Sequence, residues 1–346
     1  MTDFVVDFGQ LGIGDRPRVG GKGASLGELI GAGIPVPPGC VVTTGAFTRS
    51  LEALDPTGAL RREVAALDAG DHDRITSVCA AMRDRVEAAP LPGDVRDAIA
   101  AGVAALAPAP VAVRSSATSE DSAEASFAGL QDTYLWIRGA ESVTEHVRRC
   151  WASLYSVESV TYRRRLGLPE DGLAMGVVIQ QMVDARSAGV MFTRSPSTGD
   201  RSVVTIESSW GLGSAVVSGE VTPDCYVVSK VTGDVTTRTI ATKTWRHRPE
   251  AAGAGVVEEE VPAELQRRPS VSEQEVRELV GLGRRIERHY GSPQDIEWAI
   301  DADGAIAVLQ SRPETVWASR DAAPVAAPKA KAFDHVLALL GGGAAK

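Results

Sequence analysis

Residues 294–316 read QDIEWAIDADGAIAVLQSRPETV, and the reading of this stretch decides the fold. Two runs alternating apolar and polar residues flank Asp303-Gly304, the strongest short-range β-hairpin signal, since a type I′ turn needs positive φ at both central positions. With Asp303 and Gly304 as those two residues, Ala302 faces Ala305 and pairing runs outward one residue at a time. Glu297 then falls opposite Gln310, and Asp295 opposite Arg312. Strand side chains alternate between faces, so these four polar groups share one side. Ile296, Trp298, Ile300, Ala307 and Leu309 are expected on the other side, where they pack.

A carboxylate beside an amide oxygen suits a hard cation such as Mg²⁺, which takes oxygen ligands and keeps water and phosphate in its other positions. Arg312, two residues beyond Gln310, carries a planar fork suited to a phosphate oxygen. The same residues equally describe the solvent-facing side of an ordinary hairpin with a cross-strand Asp–Arg pair. The rest of the chain has to choose.

A chain of 346 residues can bury a large core and is expected to form two domains or subdomains. Hydrophobic content of 44% and charged content of 23% are those of a globular protein. A net charge of -9 argues against nucleic acid as the main partner, because phosphate backbones are bound by basic surfaces. Cys40, Cys79, Cys150 and Cys225 are far apart and form no CxxC pair, which reads as a reduced, cytoplasmic protein without a zinc site. MTDFVVDFG has early acids and no apolar core, unlike a signal peptide, and no run is long enough to span a bilayer.

Near the N-terminus, GGKGASLGELIGAGIPVPPG places Gly20, Gly21 and Gly23 around Lys22, with a helix expected from Ala24 to about Gly33. Such a turn presents backbone N–H groups to an anion and Lys22 adds a point charge, although a plain glycine turn has the same composition. It is not a Walker A loop, because Gly23 follows Lys22 where Ser or Thr is required. From Gly45 to Ala107 the chain reads as helical scaffold broken at prolines. VAVRSSATSED then puts Arg114 at the end of a short strand beside a hydroxyl-rich loop. That is either a phosphate clamp or a local ion pair with Glu120 or Asp121. SFAGLQDTYL leads into a strand at Tyr134, a helix is expected over Glu141 to Arg165, and MGVVIQQMV (175–183) reads as a buried strand ending beside Met182 and Val183. Its exposed end has the groups to read an adenine edge, or simply ends in a loop. Further strands are expected at 188–193, 203–207, 226–230 and 235–240, with Gly211 and Gly213 in a loop near Glu207, Glu220 and Asp224. A Ser272-x-x-Glu275 capping box opens a helix ending before Gly291. After Trp317 an Ala/Pro/Lys linker leads to Phe333, Val336, Leu337 and Leu340 at helical spacing, a stripe that either packs back or docks on another chain.

Taken in order, GGKGASLGEL, VAVRSSATSED, SFAGLQDTYL, ESSWGLGSAVVSGEVTPD and DIEW…LQSRPETVW resemble the nucleotide-binding domain of the phosphoenolpyruvate synthase and pyruvate phosphate dikinase family, which includes rifampicin phosphotransferases. The resemblance runs from Gly20 to Trp317. It implies an α+β, ATP-grasp fold: 1–186 as the subdomain with Lys22 and Arg114, 187–317 as the subdomain with the hairpin, the nucleotide between them, and 318–346 as linker and docking tail. It implies ATP and Mg²⁺ as cofactors. Lys22, Arg114 and Arg312 would meet phosphate, Gly129 and Thr133 would bind the nucleotide, and Gln180, Gln181, Met182 and Val183 would lie at the adenine. Glu297 and Gln310 would hold the metal.

Family members add a swivelling domain with a phosphorylated histidine. The histidines here, His72, His146, His247, His289 and His335, have no Thr-x-Ser-His-type setting. The expectation is therefore an ATP-dependent subunit that (pyro)phosphorylates a histidine on a partner subunit and releases AMP, as in split phenylphosphate or alkylphenyl phosphate synthases, with a phenol-type compound or pyruvate as final acceptor. The alternatives are a regulatory nucleotide-binding module without turnover and a self-sufficient small-molecule kinase. No nucleic acid or membrane partner is expected.

Overall fold

The computed structural model describes residues 3–118, 132–170, 172–250, 253, 255–315 and 317, with the backbone alone at 121–122 and 125–126. Gly129, His335 and the stripe Phe333, Val336, Leu337 and Leu340 lie outside the described residues. Two compact units are present, Met1–Pro313 and Glu314–Lys346. The fold below is that of the first.

In chain order, its first half is β1 (Val5–Asp7), α1 (Arg16–Gly31), β2 (Gly39–Val42), α2 (Thr44–Leu54), α3 (Ala59–Ala65), α4 (His72–Ala88), α5 (Gly93–Leu106), β3 (Val111–Ala117), the two-residue strands β4 (Asp121–Ser122) and β5 (Ala125–Ser126), β6 (Thr133–Ile137), α6 (Ala140–Ser153), α7 (Val157–Arg165) and β7 (Met175–Gln181). Five of these strands form an antiparallel sheet in the order β1-β2-β7-β3-β6. Alternation along β3 sends Val111 and Val113 into a core shared with α2 and α4–α7. The opposite face is covered by α1, through Val19, Ala24 and Leu26 against Val41 and Val178.

The second half is β8 (Ala185–Phe192), β9 (Val203–Trp210), α8 (Ser214–Val217), β10 (Asp224–Ser229), β11 (Val235–Thr239), the pair β12 (Trp245–Pro249) and β13 (Val256–Glu260), α9 (Glu273–Tyr290), β14 (Gln294–Asp301) and β15 (Ile306–Pro313). Its six-stranded sheet runs β11-β10-β9-β8-β14-β15. α9 starts at the expected capping box, with Ser272 and Glu275 side chains accepting each other's backbone N–H, and stops at left-handed Gly291. Its Val276, Leu279 and Ile286 pack on one sheet face with Ile296, Trp298 and Ile300. The chain passes from one sheet to the other between Gln181 and Ala185, inside the first compact unit.

Two expected elements differ. The Lys22 helix starts at Arg16, and the glycines lie inside it: Gly20 breaks the helix at φ 75°, so Lys22 sits in the turn that restarts there. A Cβ at Gly20 would lie 2.0 Å from the Ser116 carbonyl, which no side chain tolerates. The expected helix over Glu141 to Arg165 is two helices, because Ser156 leaves the helical region to cap the second by accepting from the Ser159 N–H.

The β14–β15 hairpin also departs from a two-residue turn. Asp301 Oδ1 accepts from the N–H groups of Asp303 and Ala305, each at 2.9 Å, and Asp301 N–H donates to the Ala305 carbonyl at 3.2 Å. The carboxylate cap thus closes a three-residue loop whose last member, Gly304, takes φ 88°. Near the turn Ile300 faces Ile306, one residue off the expected register. A bulge between Glu297 and Trp298 then absorbs Leu309, and beyond it Glu297 faces Gln310 and Asp295 faces Arg312. The loop and bulge offset each other at the polar pairs. They do not at the apolar ones: Ile306 and Val308, rather than Ala307 and Leu309, share the core with Ile296, Trp298 and Ile300. Leu309 turns instead to Ala185, Ala188, Leu212 and Ala299.

Candidate functional site

β3 of the first sheet and the hairpin of the second meet through one side chain. Arg114 Nη2 donates to Glu297 Oε2 at 2.9 Å and to Gln310 Oε1 at 2.6 Å, and Nη1 donates to the Leu309 carbonyl at 3.2 Å. The Arg114 side chain is 11% exposed and that of Glu297 27%. Glu297 and Gln310 therefore turn their oxygens to one point, where a cationic group already stands. Glu120 and Asp121, the other candidate partners of Arg114, have no described side chains.

The Arg114–Glu297 contact forms one wall of a cavity of about 320 Å³ between the sheets. Thr133, Gln180, Gln181, Met182 and Val183 line it from the first sheet and the strand that leaves it. Trp298, Ala299 and Leu309 come from the hairpin, and Leu212, Gly213, Ser214, Val217 and Ser218 from α8 and its flanks. Among the described residues, three buried donors of cavity-lining side chains have no protein partner: Trp298 Nε1 in the second sheet, and Arg114 Nε and Gln180 Nε2 in the first, the two that concern this wall. A buried donor without a partner costs about 1–3 kcal/mol, so both favour a ligand with acceptors. Backbone donors at the strand end are engaged: Gln181 N–H donates to the Pro38 carbonyl at 2.8 Å and Met182 N–H to that of Pro110 at 2.9 Å. The Gln180 side chain beside them is buried, at 2% exposure.

Lys22 and Arg312 are placed beside this cavity rather than on its wall. Gly23 N–H donates to Ser116 Oγ at 3.1 Å, and Ser116 Oγ–H donates to the Val19 carbonyl at 2.8 Å, which pins the restart of α1 two residues along β3 from Arg114. Half-buried Lys22 lies between those contacts. Ser25 Oγ–H, one turn on, donates to the Ser311 carbonyl at 2.8 Å, so α1 also holds the hairpin next to Arg312. Arg312 is 52% exposed, with Nε 3.6 Å from Asp295 Oδ2.

A family model described as pyruvate phosphate dikinase, AMP/ATP-binding domain, matches residues 16–332. The chain belongs to that family. A probable phosphoenolpyruvate synthase of Methanothermobacter thermautotrophicus is 45% identical over 321 residues, covering 91% of this chain and 46% of the relative. A rifampicin phosphotransferase of a Streptomyces species is 45% identical over 314 residues, covering 90% of this chain and 36% of the relative. The chain thus spans less than half the length of these relatives. A solved ADP complex of N5-carboxyaminoimidazole ribonucleotide synthetase matches 64% of this chain and 38% of its own at 10% identity, with a TM-score of 0.29, too distant to bear on the fold.

Within this dikinase-family domain the three acids near the Gly211–Gly213 stretch have separate fates. Asp224 is fully buried and accepts from Lys243 Nζ at 2.6 Å, Ala241 N–H at 3.0 Å, Ser270 N–H at 2.8 Å and Ser270 Oγ–H at 2.9 Å, so it is an internal anchor. Glu207 sits half-buried on β9, and burial raises its pKa. Glu220 Oε2 lies 3.5 Å from His247 Nε2, while His247 Nδ1 is 2.7 Å from Ser214 Oγ on the cavity wall. Sequence reasoning missed Ser214 and its neighbours because a glycine-rich stretch reads as loop. The signal available was the switch from GLG to the apolar pair Val216-Val217, which is one helical turn. No helix among the described residues is long and apolar enough to cross a membrane.

Proposed function

We propose that this chain is the nucleotide-binding subunit of a split dikinase. It binds Mg·ATP between its two sheets in an ATP-grasp arrangement and passes a phosphoryl or pyrophosphoryl group to a histidine of a separate subunit. AMP leaves as the bridge between the α- and β-phosphorus atoms breaks, so the β- and γ-phosphates pass together to the histidine nitrogen; where a single phosphoryl group remains there, the terminal phosphate has left to water as inorganic phosphate. A phenol-type compound or pyruvate is the final acceptor. The observation that carries this reading is the convergence of Arg114, Glu297 and Gln310 at the wall of one inter-sheet cavity.

The donor set fits the proposed metal. A carboxylate oxygen and an amide oxygen at one point are the hard ligands Mg²⁺ selects, with nucleotide phosphate and water for the rest. Glu297 and Gln310 would hold it, and it would supply charge neutralisation at the transferring phosphates. The chain's own groups do the remaining work. Arg114 has two sets of acceptors to choose from, the hairpin oxygens it holds here and a nucleotide phosphate, and moving to phosphate would release those oxygens for the cation. Lys22, on the helix pinned to Ser116, and Arg312, two residues beyond Gln310, would carry phosphate charge. Leu212, Leu309 and Met182 exclude water and strengthen these interactions.

Among the described residues no histidine lines the cavity. His72 is exposed at the start of α4, His146 Nδ1 faces the Ser142 carbonyl at 2.7 Å, and His289 pairs with Glu28 at 2.7 Å. His247 is engaged behind Ser214. The test is incubation of purified chain with Mg·ATP labelled in the β- and γ-phosphates, alone and with the candidate histidine-bearing protein. AMP and acid-labile phosphohistidine are expected in the mixture alone. Conversion of ATP to AMP and a phosphorylated small molecule by the chain by itself, at enzymatic rates, overturns the split reading.

A further inference from the structure

Ser214 opens α8 on the cavity wall, and its neighbours fix its hydroxyl unusually well for so short an element. Gly211 takes φ 78° and lies so close to β12 that a Cβ there would sit 2.4 Å from the His247 carbonyl oxygen. Leu212 N–H donates to that same carbonyl at 3.0 Å. The stretch before α8 is thus laid flat on the strand, and Ser214 is delivered to the His247 ring, with Oγ 2.7 Å from Nδ1. The ring is held from two further sides, by the Trp245 indole with centroids 5.5 Å apart and by Glu220 Oε2 at 3.5 Å from Nε2.

The polarity follows from the tautomer that Glu220 favours. A carboxylate on the Nε2 side favours the proton there and leaves Nδ1 as an acceptor. In that tautomer Ser214 Oγ–H donates to Nδ1, and the hydroxyl oxygen of this cavity-lining residue keeps its lone pairs for a ligand. From the first sheet, Gln180 Nε2 offers the cavity the opposite, a buried donor without a protein partner. The ligand that satisfies both has an acceptor at one end and a hydroxyl donor at the other. A ribonucleoside has both, ring nitrogens on its base and hydroxyls on its sugar.

We propose that Ser214, aligned by His247 and Glu220, accepts a hydrogen bond from a ribose hydroxyl and gives this site its preference for ribonucleotides over deoxynucleotides. The inference rests on the nucleotide reading of the cavity. His247 and Glu220 are positioning residues, since they act through the serine.

The experiment is calorimetric titration of the full chain with ATP, 2′-deoxy-ATP and 3′-deoxy-ATP in excess Mg²⁺. Loss of one hydrogen bond is worth about fivefold in affinity. The wild-type chain is expected to bind ATP tighter than at least one deoxy analogue by about that factor. Ser214→Ala should bring ATP down to the affinity of that analogue and leave the analogue unchanged. His247→Phe should do the same, whereas His247→Asn, whose amide carbonyl replaces Nδ1 as acceptor, should keep the preference. Equal weakening of all three ligands by Ser214→Ala, or a preference that survives it, overturns the inference. Equal binding of all three by the wild-type chain overturns it too and leaves the nucleotide reading standing. Binding of none of them overturns both.

Discussion

Glu297→Gln separates the metal-binding reading of the hairpin from a structural one. The substitution keeps the shape of the side chain and an oxygen facing Arg114 Nη2, now 2.9 Å away, and removes the charge. The pair is partly screened, at 11% and 27% exposure, so exchanging its charge-assisted bond for a neutral one should cost about 1 kcal/mol. That corresponds to a melting shift of about 1–2 °C for a folded unit of this size. The ligand effect should be larger. A carboxylate that also faces a divalent cation is worth at least another charged interaction, about 1.5–3 kcal/mol, or roughly 10- to 100-fold in Kd. Titration with ATP in excess Mg²⁺ and again in EDTA reads this directly. Glu297→Gln should lose that factor in the Mg²⁺ arm and little in the EDTA arm. Equal losses in both arms, or no loss in either at a matched melting temperature, refute the assignment of Glu297 to the metal.

Three further outcomes are expected. Lys22→Ala should weaken ATP by about tenfold while leaving adenosine nearly unchanged, because its role is assigned to phosphate; calorimetry showing equal losses for both ligands points to a folding defect instead. Lys243→Met should cost about 3–5 kcal/mol in denaturant unfolding, since it leaves the fully buried Asp224 carboxylate without its ammonium, and a loss under about 1 kcal/mol contradicts that anchor. Glu28 accepts from the Ile13 N–H at 3.0 Å and pairs with His289, and these interactions lower its pKa below the ordinary 4.5. Its contribution is then present above pH 4.5 and lost as pH falls through the folded-state value, so the stability gap between the wild-type chain and Glu28→Gln should close on acidification; a gap that widens toward acid contradicts the pairing.

The polar pairs of the hairpin were legible in the sequence for an accidental reason. Register counted from Asp303-Gly304 came out one residue wrong at Ile300 and right at Glu297, because a bulge at Leu309 cancels a third loop residue. Local sequence carries turn propensity but not the Asp301 carboxylate cap that chose the longer loop, and a bulge is set by what the strand packs against. Elements with strong local chemistry came through unchanged: the Ser272 capping box and Gly291 fixed both ends of α9. Where tertiary contacts decide, the sequence was silent. Nothing local says that Gly20 is a helix break pressed on Ser116, that Arg114 spans 183 residues to reach Glu297, or that β12 brings His247 under Ser214.

These long-range contacts share a geometry with a functional consequence. Arg114 belongs to the first sheet and its acceptors to the second, so the site is complete only while the two sheets keep their spacing. α1 sets that spacing at both ends: Gly23 and Val19 bond Ser116 on β3, and Ser25 bonds the Ser311 carbonyl on β15. Lys22 lies between those anchors. A helix that carries Lys22, the side chain proposed to meet phosphate, and also clamps both sheets makes the position of Lys22 and the separation of Arg114 from Glu297 a single structural variable. Lys22 and Arg114 lie with the first sheet and Arg312 with the second, so closing the sheets on a ligand would bring the two sets of cationic groups to it in a single step. That favours binding in which charge is assembled around the phosphates in one motion, the requirement for a transfer that works by positioning and charge neutralisation.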